Sequence, residues 1–302
     1  NTDSIDFNKP GAYTATGEIV QPHYGFPLAS GFADPSVFIW EGCCYYIATN
    51  DNTNDVGFWI RKADTVAGLF KEGVEESLIL DKDPQRKLIQ TFWAPEFHVI
   101  GGKLYILFAV SGDNFSPQCH MMRLKECGNV MNPKDWEDPV RIQKMDGEYL
   151  ATEGITLDMT YLEVDQVSYL IWSFRINCMS PGDTGSMLYI ATINPENPFV
   201  LTSDPVLLSR PLYNWENKDG TINNEGPFGL VTEDYVYMVY SVGSAGGWSY
   251  ALGTLRIPRG GNLLNPKEWK KSESAVLSSY SMENIYGPGH HTFFKDETGD
   301  LC

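Results

Sequence analysis

A hairpin pattern recurs five times along the 302 residues, and no other feature restricts the fold as tightly. It reads ADPSVFIWEGCCYYIA from Ala33, APEFHVIGGKLYILFA from Ala94, DMTYLEVDQVSYLIWS from Asp158, GPFGLVTEDYVYMVYS from Gly226 and HHTFFKDETGDLC from His290. Aligned on Asp34, Ala94, Asp158, Gly226 and His290, the residue eleven places on is Tyr45, Tyr105, Tyr169, Tyr237 and Leu301, so the register runs without gaps through all five. A second echo, Asn-Pro at 132, 194 and 265, suits the cap and first position of a short helical turn. Sixty to seventy residues of alternating strands and turns are enough for one four-stranded propeller blade. The expected fold is therefore all-β: a five-bladed β-propeller of four-stranded antiparallel blades in a single domain spanning 1–302.

Composition agrees, since 28 Gly and 18 Pro punctuate short runs of Val, Ile, Tyr, Phe and Trp. The fifth hairpin stops at Cys302, so the last blade is expected to be truncated and the natural chain to continue. Residues 1–30 are expected to add a strand to that blade. A net charge of −17 without a basic stripe excludes nucleic acid as a partner. No apolar run reaches the 18 or more residues needed to cross a bilayer, and the chain begins Asn1-Thr2-Asp3, which reads as a soluble, already trimmed protein with no membrane partner. Six cysteines match neither a disulfide scaffold nor a zinc pattern; a Cys119–Cys127 pair is left open, as is oligomeric state.

Equivalent residues at the start of each innermost strand of a propeller meet around its axis at one end. Here those positions bring together Asp34, Asp158, Glu225 (beside Gly226) and His290. Converging like charges raise carboxyl pKa values, which a proton donor requires. Glycoside hydrolysis needs one protonated carboxyl for the leaving oxygen and one carboxylate to activate water. The competing reading makes Asp34 and Asp158 turn residues and Glu225 an exposed loop acid; three acids in phase on separate repeats weigh against it.

Over residues 25–302 the chain resembles glycoside hydrolase family 43, five-bladed propellers that include α-L-arabinofuranosidases, β-xylosidases and arabinanases. The matching motifs are Ala33-Asp34-Pro35, Trp93-Ala94-Pro95-Glu96, Leu157-Asp158, Asn224-Glu225-Gly226-Pro227 and Gly287-Pro288-Gly289-His290. The resemblance implies Asp34 as general base, Glu225 as general acid and Asp158 as the acid that tunes and orients Glu225, in a single inverting displacement. It implies Trp93, and with it Phe32, as an aromatic wall for the sugar, Glu96 as a pocket residue, and Arg175 as a donor to hydroxyls or a clamp on a carboxylate. Trp40 and Trp172 read as core. Glu153 imitates the acid motif out of phase and is set aside.

His290 matches a family histidine that often contacts a bound calcium ion or its waters, so no cofactor is expected to be required while a structural calcium is implied by resemblance alone; His291 reads as packing. The expected activity is release of terminal α-L-arabinofuranosyl groups from arabinan or arabinoxylan-type polysaccharide or oligosaccharide of plant cell walls. β-Xylosidase and endo-arabinanase are the alternatives, and a non-catalytic glycan-binding propeller is a further one. The family context points to a secreted or periplasmic protein.

Overall fold

The computed structural model describes residues 27–176, 182–281 and 283–302. The chain divides into two compact units, Asn1–Ser30 and Gly31–Cys302. The second is the propeller; the strand expected from residues 1–30 falls almost wholly outside the described residues.

Four blades follow one another. Blade 1 is β1 (Phe32–Trp40), β2 (Cys43–Asn50), β3 (Phe58–Ala63) and β4 (Glu75–Leu80), and blade 2 is β5 (Gln90–Ile100), β6 (Lys103–Ser111), β7 (Gln118–Arg123) and β8 (Val140–Arg141). Blade 3 is β9 (Ile155–Val164), β10 (Val167–Arg175) and β11 (Met187–Asn194), with β12 (Asn197–Leu201) and β13 (Val206–Ser209) both pairing with β11. After a small ribbon of β14 (Asn217–Lys218) and β15 (Thr221–Ile222), blade 4 is β16 (Glu225–Val231), β17 (Tyr235–Val242), β18 (Ala251–Pro258) and β19 (Lys270–Lys271). Pairing between the strands within each blade is antiparallel, and the first strands β1, β5, β9 and β16 lie against one another in succession.

Period-two alternation buries both faces of the second strands, because each blade is sandwiched between neighbours. In β6, Leu104, Ile106, Phe108 and Val110 pack against blade 1 while Tyr105 and Leu107 pack against blade 3. In β10, Leu170 and Trp172 turn towards blade 2 and Tyr169 and Ile171 towards blade 4. Trp172 is core as expected, and Trp40 packs partly buried against the cluster between blades 1 and 2.

The phase of the repeat is a physical register. In blades 1 to 4 the residue four places after the aligned position pairs with the residue eleven places after it: Phe38 with Tyr45, His98 with Tyr105, Leu162 with Tyr169, Leu230 with Tyr237. Two-residue loops with both residues at positive φ set this register in blades 1 to 3, at Glu41-Gly42, Gly101-Gly102 and Asp165-Gln166. The fifth hairpin departs from the expectation by one residue: Phe294 pairs with Cys302 and Lys295 with Leu301. Its loop is longer and is closed instead by the Asp296 carboxylate, which accepts from the Thr298 and Asp300 amides.

Asn132 caps a 3-10 turn at Pro133–Asp135 as the Asn-Pro pattern anticipates, whereas Pro195 sits in the β11–β12 turn. Trp136 and Trp269 play matching parts, each donating its indole N–H to a carbonyl six residues back, on Val130 and Leu263. Cys119 is buried and Cys127 exposed, both free, so the pair left open does not form. Among the described residues no helix is long and apolar enough to cross a membrane.

Candidate active site

Each of the five aligned positions adopts the left-handed backbone region: Asp34 at φ 53°, Ala94 at 47°, Asp158 at 50°, Gly226 at 53° and His290 at 44°. In blades 1 to 4 the cause is the same bulge. Asp34-Pro35, Ala94-Pro95, Asp158-Met159 and Gly226-Pro227 each oppose one residue of the second strand, namely Ala48, Phe108, Trp172 and Tyr240. A bulge of this kind re-aims the side chain at its first residue. Only Gly226 takes the conformation without steric cost; for the others it costs on the order of 1 kcal/mol each, strain of the kind that gathers at functional sites.

The bulges put the expected acids together. His290 Nδ1 lies 3.0 Å from Asp34 Oδ1, and Thr49 Oγ1 donates to Asp34 Oδ2 at 2.5 Å. Asp158 Oδ2 accepts from the Gly226 amide at 2.9 Å and from Ser173 Oγ at 3.3 Å, which ties blade 3 to the residue following Glu225. Glu225 receives the Tyr250 hydroxyl at 3.3 Å and the Ser186 hydroxyl at 3.4 Å. Asp158 and His290 are buried, while Asp34 and Glu225 remain partly accessible.

Their electrostatics diverge. Burial, reinforced by the Asp158 carboxylate, pushes Glu225 up to about 8, against the opposing pull of His290. Burial also lifts Asp158, to about 6, with His290 and the Gly226 amide holding it down and Asp34 adding to the rise. Burial alone would lower His290, but the surrounding carboxylates, Asp34 foremost, raise it above its ordinary value. At neutral pH the cluster thus holds a protonated Glu225 beside an ionised Asp158, the separation of carboxyl pKa values on which acid–base catalysis depends.

The remaining expected residues scatter around this centre. Glu96 is buried, paired with His98 Nε2 at 2.6 Å, and close enough to raise both Asp158 and His290. Trp93 is half-buried with its indole N–H on Asp55 at 3.0 Å. Phe32 meets the edge of Tyr46, and the Arg61 guanidinium covers its ring at 4.8 Å. Arg175 forms a salt bridge with Asp183 through Nε and Nη2 at 2.9 and 2.5 Å and reaches Asn223 through Nη1 at 3.0 Å. Glu153 is exposed, and His291 packs its ring against Phe228 and Phe293.

Calcium takes six to eight oxygen ligands. His290 directs Nδ1 at Asp34, and among the described residues no three His, Cys, Asp or Glu side chains are grouped to hold a metal ion.

Three hydroxyls escaped the sequence reading although the repeat carries them. Thr49, Ser173 and Ser241 stand fifteen residues after Asp34, Asp158 and Gly226. Thr49 and Ser173 donate to the acid of their own blade, and Thr49 and Ser241 accept the amides of Ala94 and His290 from the next. Tyr250 belongs to the β17–β18 loop, outside the repeat, and left no comparable signal.

A family model described as Glycosyl hydrolases family 43 matches residues 24–302. The chain is 30% identical to a protein of Streptomyces chartreusis named extracellular exo-alpha-(1->5)-L-arabinofuranosidase, over 91% of this chain and 79% of that one. It is also 30% identical to alpha-L-arabinofuranosidase B of Pyricularia oryzae, over 89% of this chain and 53% of that one, so it spans about half of that protein's length. Among solved structures, an alpha-L-arabinofuranosidase from Lactobacillus brevis superposes with a TM-score of 0.78 at 30% identity, over 92% of this chain and 84% of the other.

Proposed function

The chain belongs to glycosyl hydrolase family 43, and from that premise we propose that it releases terminal α-L-arabinofuranosyl groups from plant arabinan or arabinoxylan-type chains by single-step inversion. The observation that carries the reading is the juxtaposition of two unlike carboxyls at the axial end of the blades. Glu225 keeps its proton to about pH 8, and Asp34 faces the same cluster with its oxygens oriented by Thr49 and His290.

In this mechanism water attacks the anomeric carbon and passes a proton to Asp34 as Glu225 protonates the departing glycosidic oxygen. Asp158 holds the Gly226 amide, fixing the backbone beside Glu225, and its charge helps keep Glu225 protonated. Trp93 supplies the aromatic wall for the sugar. Secretion fits the extracellular designation of the Streptomyces relative.

The test compares 4-nitrophenyl α-L-arabinofuranoside with the β-D-xyloside, and both with α-1,5-arabinobiose. The arabinoside is expected to be preferred. Glu225→Gln is expected to lose 10²–10⁴-fold on arabinobiose and far less on the nitrophenyl substrate, whose leaving group departs without a proton. Preference for the xyloside overturns the substrate assignment, and equal losses on the two arabinosides overturn the role of Glu225.

A further inference from the structure

Three aromatic side chains cluster in the open on the loops beside Glu225. Trp248 is 52% exposed, Tyr286 61% and Tyr280 88%. Trp248 and Tyr286 lie with ring centroids 4.7 Å apart at 30°, and Tyr280 meets Trp248 edge-on at 6.1 Å. Solvated aromatic surface of this kind has no structural return, and contiguous exposed apolar patches mark binding sites.

The loops carrying the cluster are held in place. Ser279 Oγ donates to the Trp248 carbonyl at 2.7 Å and accepts the Gly287 amide at 2.7 Å, stitching the β17–β18 loop to the segment that leads into His290. Gly287 and Gly289 allow the close approach: a Cβ on Gly287 would sit 2.2 Å from the Gly247 carbonyl oxygen, and one on Gly289 would strike the Tyr250 ring. Trp248 is two residues from Tyr250, about 7 Å of chain at most, and Tyr250 donates its hydroxyl to Glu225. The loop that carries Trp248 therefore also contacts the proton donor.

We propose that Trp248, Tyr280 and Tyr286 form a stacking platform for the polysaccharide chain on the leaving-group side of the scissile bond. The proposal rests on the role given to Glu225: a general acid must stand next to the departing oxygen, so the loop that touches it through Tyr250 borders the part of the substrate that departs. An aromatic face matches the apolar C–H face of a sugar, and a chain with a net charge of −17 suits a neutral glycan.

The test uses Trp248→Ala and, as a change at the most exposed ring, Tyr280→Ala. For each, the ratio of kcat/KM on α-1,5-arabinotetraose to kcat/KM on 4-nitrophenyl α-L-arabinofuranoside is measured, together with retardation in native gels containing soluble arabinan or arabinoxylan. The ratio is expected to fall about tenfold for Trp248→Ala and about threefold for Tyr280→Ala, with loss of retardation; the gel that retards the wild type identifies the chain. A ratio within twofold of wild type for both variants, with retardation intact, overturns the platform. If the wild type cleaves neither substrate, the arabinofuranosidase reading falls by itself, and retardation alone then decides: loss in Trp248→Ala upholds the platform, and none refutes it.

Discussion

Asp158→Asn removes the charge that, after burial, does most to keep Glu225 protonated. Asp158 titrates near 6, so at pH 8 it is ionised and its full repulsion acts on Glu225. Carboxyls in one cluster lose their protons in two steps that belong to the pair, and the upper step, near 8, is expected to set the alkaline limb of kcat/KM. Deleting a neighbouring charge shifts such a group by about one unit or more. One unit is about 1.36 kcal/mol, and it takes the protonated fraction at pH 8 from about one half to about one tenth. The limb should therefore move down by about one unit, yet stay above the ordinary glutamate value because burial remains. The assay is kcat/KM on arabinobiose from pH 4 to 10, a substrate whose leaving group needs the proton. A limb that stays near 8 in the variant, or moves upward, refutes the coupling.

Glu225→Gln should raise the melting temperature at pH 9 relative to wild type and do so less at pH 5. A folded-state pKa above the unfolded 4.5 makes stability fall as pH rises towards 8, and Gln abolishes that loss; thermal unfolding at the two pH values decides, and an equal effect at both contradicts it. Lys271→Met should destabilise the fold by about 3 kcal/mol, read from urea unfolding, because it leaves the fully buried Glu216 carboxylate without the ammonium that pairs with it at 2.5 Å; a loss under about 1 kcal/mol would show that the Leu212 and Tyr213 amides, Asn224 and Tyr240 suffice for that carboxylate. Thr49→Val should destabilise by about 1–3 kcal/mol and lower turnover, since it strips a donor from Asp34 and an acceptor from the Ala94 amide; unchanged urea unfolding and turnover would contradict that role.

Much of this architecture was legible beforehand because a strand has a period of two and a propeller repeats its phase. Tyr45, Tyr105, Tyr169 and Tyr237 each stand eleven residues after their aligned position because each faces the same pairing position. The convergence of Asp34, Asp158 and His290 follows from that phase, and Glu225 joins them as the residue before the aligned Gly226. The left-handed backbone beneath it was not legible, because Asp, Ala, Gly and His share no local preference that would announce it; the bulge is imposed by pairing across each blade. Side-chain partners chosen by loops were equally hidden. Tyr250 reaches Glu225 through a segment with no counterpart in other blades, and Arg175 finds Asp183, a residue outside the repeated hairpins. The one-residue shift of the fifth hairpin arises from the Asp296 loop, which the simple repeat does not encode.

The most direct test of the central claim is the anomeric configuration of the first product, followed by proton NMR during hydrolysis of 4-nitrophenyl α-L-arabinofuranoside. Displacement by water held on Asp34 predicts that β-L-arabinofuranose appears first and that Asp34→Asn stops its formation. Initial release of the α-anomer, or undiminished turnover by Asp34→Asn, would contradict it.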